Sequence, residues 1–482
     1  MVEDELARLV RENYKLRNPS IPDSQLHWIL QEEIESLRKT IFGTKSERYK
    51  KPKRDNEDDG SKKDLKPRIK KLSERYPNIP IREQVIEANP APSCPCCGEV
   101  MKDSGMTEDS EQLTVIPKRY EILLQKKKKY RCSCQSAITT ASSPPRIIPG
   151  SSYSDEMIVD IALSKYCDLI PIGRYKAMAE RSGLIDLPAH SLIEITHPFS
   201  DFVSPVYSMI KEGVLASRVL KADETPHRML EGDDKKSWYL WGFSTTKHCY
   251  LECRDTRSGD VASDLLTNKN SKCEILLTDV FSGYARAVRL SNSVKAQAGL
   301  PLIQNAYCNA HARRYFFKTY PELPEAQFYL DHYHEIYQLN SKSKGEPPSL
   351  VLGLRAQMEP RFKAMKERAL EELSGHSSKG KYGKALKYFL KNYEGLTLFL
   401  TDAEVPIDNN AQERNLRSHV VGRKTWYGTH SKRGALTAAI LFSIVETCKL
   451  NQVNPREYFK HLVEDLLAGG RPYTPAEYKK SH

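Results

Sequence analysis

The feature that most constrains the fold is a change from helical to strand-like sequence at Val219. Three strand-like segments, RVLKADET, SWYLWGFSTT and HCYLECRD, are followed by a short helical stretch over SGDVASDLL and a fourth strand-like segment, CEILLTDV. The order strand, strand, strand, helix, strand is typical of the opening of a mixed α/β sheet. We therefore predict a multidomain α/β chain with a mixed sheet in its middle.

Two aspartates occupy comparable places in this pattern. We expect Asp223 to end the apolar strand in VLKADET, and Asp279 to end the one in ILLTDVFSGY. Functional groups of open α/β sheets collect beyond the carboxyl ends of strands, so these aspartates would face one another if their strands are neighbours. Carboxylates in that arrangement suit Mg²⁺. Taken singly, each aspartate is more often a cap or a solvated charge.

A third acid is predicted at the start of a helix in VPIDNNAQERNLR. Asn410, Glu413 and Arg417 are spaced by three and four residues, which places them on one helical face. Glu413 would then point at the metal and Arg417 would meet a phosphate. The alternative is a polar helix start capped by Asp408.

Basic residues near these acids are predicted to contact DNA. Arg313 and Arg314 in CNAHARRYFF suit phosphate oxygens, with a solvated helix face as the alternative. In GRKTWYGTHSKRG, the cationic residues could contact the DNA backbone and the aromatic rings could stack on an unpaired base at a strand end. Core packing of the rings is the alternative. The residues predicted there are Arg423, Lys424 and Trp426.

The same CNAHARRYFF segment offers Cys308 and His311 at a C-x-x-H spacing. A second zinc site would need two more ligands, and the neighbouring sequence offers none. We therefore favour a structural or DNA-positioning role for this pair.

Two cysteine pairs further upstream indicate a structural zinc site. Cys94 and Cys97 form C-x-x-C, and Cys132 and Cys134 form C-x-C after 34 intervening residues. Four thiolates from two turns can enclose Zn²⁺ and stabilise a small module. Cys96 leaves open which sulfur binds, and reduced cysteines without a metal are the alternative. Between the pairs, EQLTVIPKRYEILLQKKKKYRC is strand-like, and its lysine run makes the module a candidate for duplex binding.

Composition favours an intracellular protein with a polyanionic partner. The 482 residues carry a net charge of +12 and a pI near 9.0, which favours nucleic acid as that partner. The sequence opens with no signal peptide, and its longest apolar run, ALTAAILFSIV, is too short to span a membrane. We expect a cytoplasmic, nucleoid-associated protein.

Four segments of the chain resemble the insertion sequence 66 family of DDE transposases. They are KADETPHRML, LLTDVFSGYARA, CNAHARRYFF and the long block from IDNNAQERNLR to NQVNPREYF. The resemblance implies a ribonuclease H-like catalytic domain interrupted by a helical segment. It also implies an acidic triad of Asp223, Asp279 and Glu413, holding two Mg²⁺ or Mn²⁺ ions.

The family resemblance further implies the reaction and its partners. Water would cut the transposon end, and the freed 3′-hydroxyl would attack target DNA. Expected partners are the transposon ends, the target, further copies of the chain on DNA, and small accessory proteins of the same element. The family has C-x-x-C in both zinc-binding halves, and the C-x-C pair of this chain departs from that pattern.

The predicted organisation runs from an N-terminal helix to a short tail. A helical segment over 1–49, which either self-associates or packs on the chain itself, is followed by a charged linker over 50–75 and a zinc-binding module over 76–147. A helical module over 148–215 is either a helix-turn-helix or a spacer. The catalytic core covers 216–320 and 403–470, with a helical insertion over 321–402 between its two parts and a tail over 471–482.

Two other functions are compatible with the same residues. One is a DNA-binding regulator whose transposase domain has decayed or been recruited, although all three carboxylates are present. The other is a ribonuclease H-like nuclease, since the same metal geometry serves several phosphodiester reactions.

Overall fold

The computed structural model describes residues 71–87, 91–102, 105, 109–131, 133, 137–230, 237–320, 323–375 and 380–481. The chain divides into two compact units, Met1–Pro117 and Lys118–His482. The predicted N-terminal helix, nearly all of the charged linker, and both Cys132 and Cys134 lie outside the described residues.

The described part of the first unit contains one short helix, α1 (Leu72–Arg75). Ser73 fixes it to Glu111, because its backbone N and its Oγ both donate to that carboxylate, at 3.0 and 2.6 Å. An isolated antiparallel bridge joins Ser93 to Val100 around the first cysteine pair.

Most of the strand-like segment over 111–132 is not a strand. Within it, only β1 (Lys129–Arg131) is extended and paired, with β2 (Ile138–Thr140) as its antiparallel partner. A strand needs a neighbour for its backbone groups, and none of the described strands pairs with 118–127. The apolar side chains of this stretch therefore stay in solvent, with Ile122 at 95% exposure.

A helical module follows, as the sequence predicts. It contains α2 (Asp155–Tyr166), α3 (Ile172–Arg181), α4 (Ala189–Glu194), α5 (Thr196–Phe202) and α6 (Ser204–Leu215). The predicted Ser-Gly turn lies between α3 and α4, where Gly183 has a φ of +89° that suits glycine. Tyr175 and Leu192 anchor a small separate core that holds α3 and α4 together.

The predicted mixed sheet is confirmed, with five strands. They are β3 (Val219–Arg228), β4 (Ser237–Ser244), β5 (Cys249–Arg254), β6 (Ile275–Thr278) and β7 (Gln304–Tyr307). Their spatial order is β5-β4-β3-β6-β7. The pairs β5-β4 and β4-β3 are antiparallel, whereas β3-β6 and β6-β7 are parallel. Helices α7 (Asp260–Leu266), α8 (Ser282–Gln297) and α9 (Asn309–Thr319) connect or follow the strands.

Both faces of the sheet are covered, which explains the continuous apolar run of β6. Leu276 packs in one large hydrophobic core with α6 and the later helix over Lys432–Leu450. Its neighbours Ile275 and Leu277 point the other way, into a second core. That second core contains the helical insertion, so the insertion is part of the same packed body.

The insertion consists of helices, as predicted. They are α10 (Ala326–Lys342), α11 (Pro348–Ala356), α12 (Glu359–Gly375), α13 (Lys381–Lys391) and α14 (Tyr393–Thr397), followed by a 3-10 turn over Leu398–Leu400. The chain then returns to the sheet with α15 (Asn410–Trp426), α16 (Lys432–Leu450), α17 (Pro455–Leu467) and α18 (Pro475–Ser481).

Membrane-spanning length was tested on the described residues. None of their helices is by itself long and apolar enough to cross a membrane. The bent pair α16 and α17, at 118° to one another, passes the length and composition test only when both are taken together.

Candidate active site

Asp223 lies within β3, and the prediction that it ends the strand is wrong. The strand continues to Arg228 because β4 pairs with it over its whole second half, with Asp223 opposite Gly242. The parallel partner β6, in contrast, reaches only as far as Lys221 opposite Leu277. Asp223 therefore lies just beyond the parallel part of the sheet, at the same level as the end of β6.

Asp279 directly follows β6, as predicted, and its carboxylate is oriented by the backbone. The N–H of Phe281 donates to Asp279 Oδ1 at 3.0 Å. The Asp223 carboxylate is held in the same manner, by the N–H of Glu224 at 2.9 Å from Oδ1. Each carboxylate keeps a second oxygen that these contacts do not use.

Glu413 lies in the first turn of α15, and the start of this helix is attached to β3. Asn409, which is 2% exposed, donates through Nδ2 to the carbonyl oxygen of Ala222 at 2.8 Å. Its backbone N donates to Cys308 Sγ at 3.2 Å. Asp408 does act as a local cap, since its Oδ1 accepts from the N–H of Asn410 at 3.1 Å. These contacts fix Glu413 relative to Asp223.

A glycine lets the helix come close to the sheet. A Cβ built on Gly242 would lie 2.2 Å from Nε2 of Gln412 and 3.1 Å from the Leu416 side chain. Because Gly242 is opposite Asp223, the space that it leaves is filled by the residue preceding Glu413. A methyl group at this position would force the Gln412 amide and the Leu416 side chain to move.

Burial and the neighbouring acidic side chains raise the proton affinity of Asp223. Burial, followed by the charges of Glu224, Asp279 and Glu413, raises the pKa of Asp223 to about 8. A like charge has this effect only at short range, so the structure brings together all three carboxylates singled out from the sequence. A group of acids that resists full ionisation is suited to a cation.

A fourth acid, Glu224, was missed by the sequence analysis. Its side chain is only 2% exposed and accepts from the Tyr284 hydroxyl at 2.6 Å and from Arg257 at 2.7 Å. These partners neutralise Glu224, although burial still raises its pKa. Its position next to Asp223 in KADET could have indicated a role in the site. Its partners Arg257 and Tyr284, however, are 33 and 60 residues away in sequence.

Cys308 and His311 lie against Glu413. The Cys308 sulfur, a His311 ring nitrogen and a Glu413 carboxylate oxygen all lie within 4.8 Å of one another. His311 Nδ1 is 3.6 Å from Glu413 Oε1. Cys308 is fully buried, and burial raises the pKa of its thiol to about 12. The sequence analysis found no further ligand near this pair because Glu413 is 102 residues away from His311 along the chain.

Comparison with protein families decides the classification. The model of the family described as "Transposase IS66 family" matches residues 150–437. The chain belongs to the IS66 transposase family. The match covers the helical module, the sheet, the insertion and all three carboxylates.

Relatives of this chain occur in Sinorhizobium fredii (strain NBRC 101917 / NGR234). "Uncharacterized protein y4hP" is 27% identical over 419 residues, which are 82% of this chain and 73% of the relative. "Uncharacterized protein y4qI" is 26% identical over 406 residues, or 80% and 72%. "Uncharacterized protein y4jD" is 22% identical over 430 residues, or 86% and 83%.

The basic residues predicted to contact DNA fall into two groups. Arg417 and Lys424 are exposed on α15, the helix that carries Glu413. Arg423 is partly buried and donates to Thr225 Oγ1 at 3.3 Å. On α9, the Arg313 guanidinium lies 5.7 Å from the centre of the Phe317 ring, and Arg314 precedes the partly exposed Tyr315.

Trp426 is partly buried against the main core. Its ring contacts the main core and covers Gly422, where a Cβ would lie 2.5 Å from the ring. The Lys165 ammonium is 4.7 Å from the ring centre, and burial lowers the pKa of that lysine to about 8. Tyr427, in contrast, is 68% exposed and has a left-handed backbone with a φ of 66°. The structure thus favours core packing for Trp426 and leaves Tyr427 as the accessible ring.

The first cysteine pair forms a tight turn. The N–H of Gly98 donates to the carbonyl of Cys94 at 2.9 Å, and Gly98 has a φ of +75°. The backbone N–H groups of Cys97 and Cys96 lower the pKa of the Cys94 thiol. A sulfur surrounded by N–H donors is favoured as a thiolate, the form that binds zinc. Cys132 and Cys134 lie outside the described residues, so the four-cysteine zinc site stays a prediction.

Proposed function

We propose that the chain is the DNA transposase of an insertion sequence and that Asp223, Asp279 and Glu413 carry its chemistry. The observation that carries this proposal is the meeting of these carboxylates from β3, the end of β6 and the start of α15, where burial and the neighbouring negative charges raise the pKa of Asp223. Membership of the IS66 transposase family supports the same assignment.

A divalent cation fits this group of residues. Mutually repelling carboxylates are the oxygen donors that Mg²⁺ and Mn²⁺ prefer, and the Oε1 atom of Glu413 is buried without a hydrogen-bond partner. Asp223, Asp279 and Glu413 would hold the ions. When bound, two such ions neutralise phosphate charge and favour both the attacking and the leaving oxygen of an in-line displacement.

The contribution of the chain is to hold these carboxylates in place. Backbone N–H groups fix one oxygen each of Asp223 and Asp279, and Asn409 fixes the glutamate helix to β3. In the first step, water attacks a phosphodiester at the transposon end and the 3′-oxygen leaves. In the second step, that 3′-hydroxyl attacks a target phosphodiester and the target's own 3′-oxygen leaves. Neither step needs a protein nucleophile.

The sheet supports a ribonuclease H-like assignment for the catalytic domain. Three antiparallel strands, β3 to β5, lie on one side, and two parallel strands, β6 and β7, lie on the other. The first carboxylate is on β3 at the centre of the order, and the second follows its parallel neighbour β6. The helical insertion separates these strands from Glu413 in sequence without separating them in space.

DNA is the proposed substrate and partner. Glu413, Arg417 and Lys424 recur at intervals of four and seven residues, so they share one face of α15. Arg417 and Lys424 would contact the phosphates next to the cleaved bond. Arg313, Arg314 and Arg423 are proposed as further contacts, with Tyr427 replacing Trp426 as the ring that stacks on a base.

The other modules are proposed to recognise and assemble the transposon ends. The helical module and a zinc module held by Cys94, Cys97, Cys132 and Cys134 would bind the terminal repeats. The N-terminal helix would join copies of the chain, and accessory proteins of the same element would bind this assembly. A protein acting in this way works at the nucleoid.

A strand-transfer assay tests the proposed function. Purified protein with Mg²⁺ or Mn²⁺ is incubated with a labelled terminal-repeat duplex and a supercoiled plasmid. Transfer of the label into the plasmid is expected. Cleavage of the end without transfer would instead indicate a nuclease, and binding without cleavage would indicate a regulatory protein.

A further inference from the structure

A group of metal-ligating side chains lies on the side of Glu413 formed by helix α9. Cys308 immediately precedes that helix and His311 lies in its first turn, so a spacing of three residues directs both side chains to the same side. Together with a Glu413 oxygen, their ligand atoms lie within 4.8 Å of one another. A sulfur, a ring nitrogen and a carboxylate oxygen at such separations can reach a single ion.

Two of these atoms have no hydrogen-bond partner although they are buried. They are His311 Nδ1 and Glu413 Oε1. The 3.6 Å between them is too long for a hydrogen bond to each other. At this distance the two atoms form an ion pair only if His311 is protonated. Buried polar atoms are nearly always satisfied, so with a neutral imidazole the pair indicates a missing occupant. An occupant that accepts electron pairs from both atoms is a cation.

The types of donor decide which cation it is. Mg²⁺ prefers an all-oxygen set, whereas a thiolate, an imidazole and a carboxylate suit a borderline-soft ion such as Zn²⁺ or Co²⁺. Three protein ligands would leave one tetrahedral position open. The backbone N–H of Asn409 already donates to Cys308 Sγ, at 3.2 Å, and binding of the ion would release the proton that burial keeps on this sulfur.

We propose that Cys308, His311 and Glu413 form a binding site for Zn²⁺ or a similar transition-metal ion. This site is separate from the cysteine pairs, and Cys308 and His311 are not ligands of the proposed magnesium site. Glu413 belongs to both the transition-metal site and the carboxylate group. This consequence rests on the proposed function: an ion bound by Cys308 and His311 would occupy the Glu413 carboxylate that the DNA reaction needs. Zn²⁺ should therefore inhibit Mg²⁺-dependent cleavage.

A Co²⁺ titration of the full chain tests the site without any reference to DNA. Bound metal is first removed from the purified protein with a chelator, and Co²⁺ is then added while the ligand-field and the sulfur-to-cobalt charge-transfer absorption are recorded. We expect wild type to bind one more equivalent of Co²⁺ than His311→Gln does. The sulfur-to-cobalt charge-transfer absorption of Cys308→Ser should be weaker than that of wild type. Loss of a direct ligand should weaken binding at least about tenfold, because even indirect partners of a metal contribute that much.

Matched variants identify the site. His190→Gln changes a histidine whose side chain is 83% exposed, and Cys253→Ser changes a thiol on β5, so both should titrate as wild type. Asp223→Asn should also retain the extra equivalent, because that residue serves only the carboxylate group. His311→Gln changes a partly exposed side chain and provides a second variant should Cys308→Ser disturb folding.

The two proposals fail in different ways. Equal Co²⁺ stoichiometry and equal spectra in wild type, His311→Gln and Cys308→Ser would overturn the transition-metal site, whatever the protein does to DNA. If the extra equivalent is present and no DNA is cleaved under any condition, the metal site stands and the transposase assignment fails.

Discussion

Asn409 donates a hydrogen bond through Nδ2 to the carbonyl oxygen of Ala222, 2.8 Å away. One of these residues directly precedes the helix that carries Glu413, and the other directly precedes Asp223. This contact links two carboxylates that are 190 residues apart in sequence. Both residues are buried, so water does not compete for this hydrogen bond.

Replacing Asn409 should therefore weaken both the fold and the cation site. Asn409→Ala leaves the Ala222 carbonyl without its side-chain donor, and we expect a loss of roughly 1–3 kcal/mol in the free energy of unfolding. Mn²⁺ affinity should fall as well, because Glu413 loses its anchor. Urea unfolding and Mn²⁺ titration measure the two effects. Asn270→Ala, at an exposed position, serves as the control, and equal behaviour of both variants would contradict this role.

The raised pKa of Asp223 predicts a pH-dependent stability. The carboxyl titrates near 8 in the folded protein and near 3.9 in the unfolded chain, so between these values the folded state binds the extra proton. The free energy of unfolding should then fall as pH rises from about 4 to about 8. The Asp223→Asn side chain is uncharged at every pH in this range. The variant should therefore lack the part of the decline in unfolding free energy that comes from ionisation of Asp223.

The measurement compares wild type with Asp223→Asn in urea unfolding across that pH window, in buffer without added Mg²⁺. At pH 8.5 the variant should be the more stable protein by roughly 1 kcal/mol or more. Adding Mg²⁺ should stabilise wild type alone. Parallel curves for the two proteins at every pH would show that Asp223 is not held at a raised pKa.

Gly242 predicts a steric effect of a single methyl group. A Cβ at this position would lie 2.2 Å from Gln412 Nε2, so Gly242→Ala should push α15 away from β4 and destabilise the protein by about 1–3 kcal/mol. Thermal unfolding measures the change. Gly353→Ala is the matched control, because it lies exposed in α11 with open space around it and should stabilise by about 0.5–1 kcal/mol. Gln412→Ala should partly rescue Gly242→Ala.

Arg417 is predicted to contribute one phosphate contact. Arg417→Ala should weaken binding of terminal-repeat and unrelated duplexes alike, and should reduce the slope of log affinity against log salt by about 1. Fluorescence anisotropy at several salt concentrations gives that slope. Lys342→Ala, at the end of α10, should leave it unchanged. An unaltered slope for Arg417→Ala would remove this arginine from the DNA surface.

The strand pattern was sufficient to predict the mixed sheet, whereas the triad of Asp223, Asp279 and Glu413 was implied by the family resemblance as well as by spacing and stays a prediction. Apolar periodicity is a local property, and it identified β3 to β6 and the helices of the insertion. It could not show that β3 continues past Asp223, because that depends on β4 supplying a partner for each residue up to Arg228. Local sequence also could not show that the strand-like residues 118–127 have no neighbouring strand among the described residues.

The details of the site depend on contacts between distant segments. The closeness of His311 to Glu413, the pairing of Glu224 with Arg257 and Tyr284, and the space beside Gly242 are all set by how elements pack. Trp426 shows the same limit, since its sequence neighbours suggested a base-stacking ring and its packing against Gly422 and Lys165 places it against the main core.

The most direct test of the central claim is metal-dependent cleavage of a labelled terminal-repeat duplex by wild type, Asp223→Asn and Glu413→Gln. Exposed Asp264→Asn and Glu371→Gln are matched controls, and circular dichroism verifies that each variant is folded. The two site variants should lose at least about 100-fold in rate, roughly 3 kcal/mol of activation free energy, while both controls cleave as wild type in Mg²⁺ or Mn²⁺. Cleavage at the wild-type rate by folded Asp223→Asn or Glu413→Gln would contradict the account.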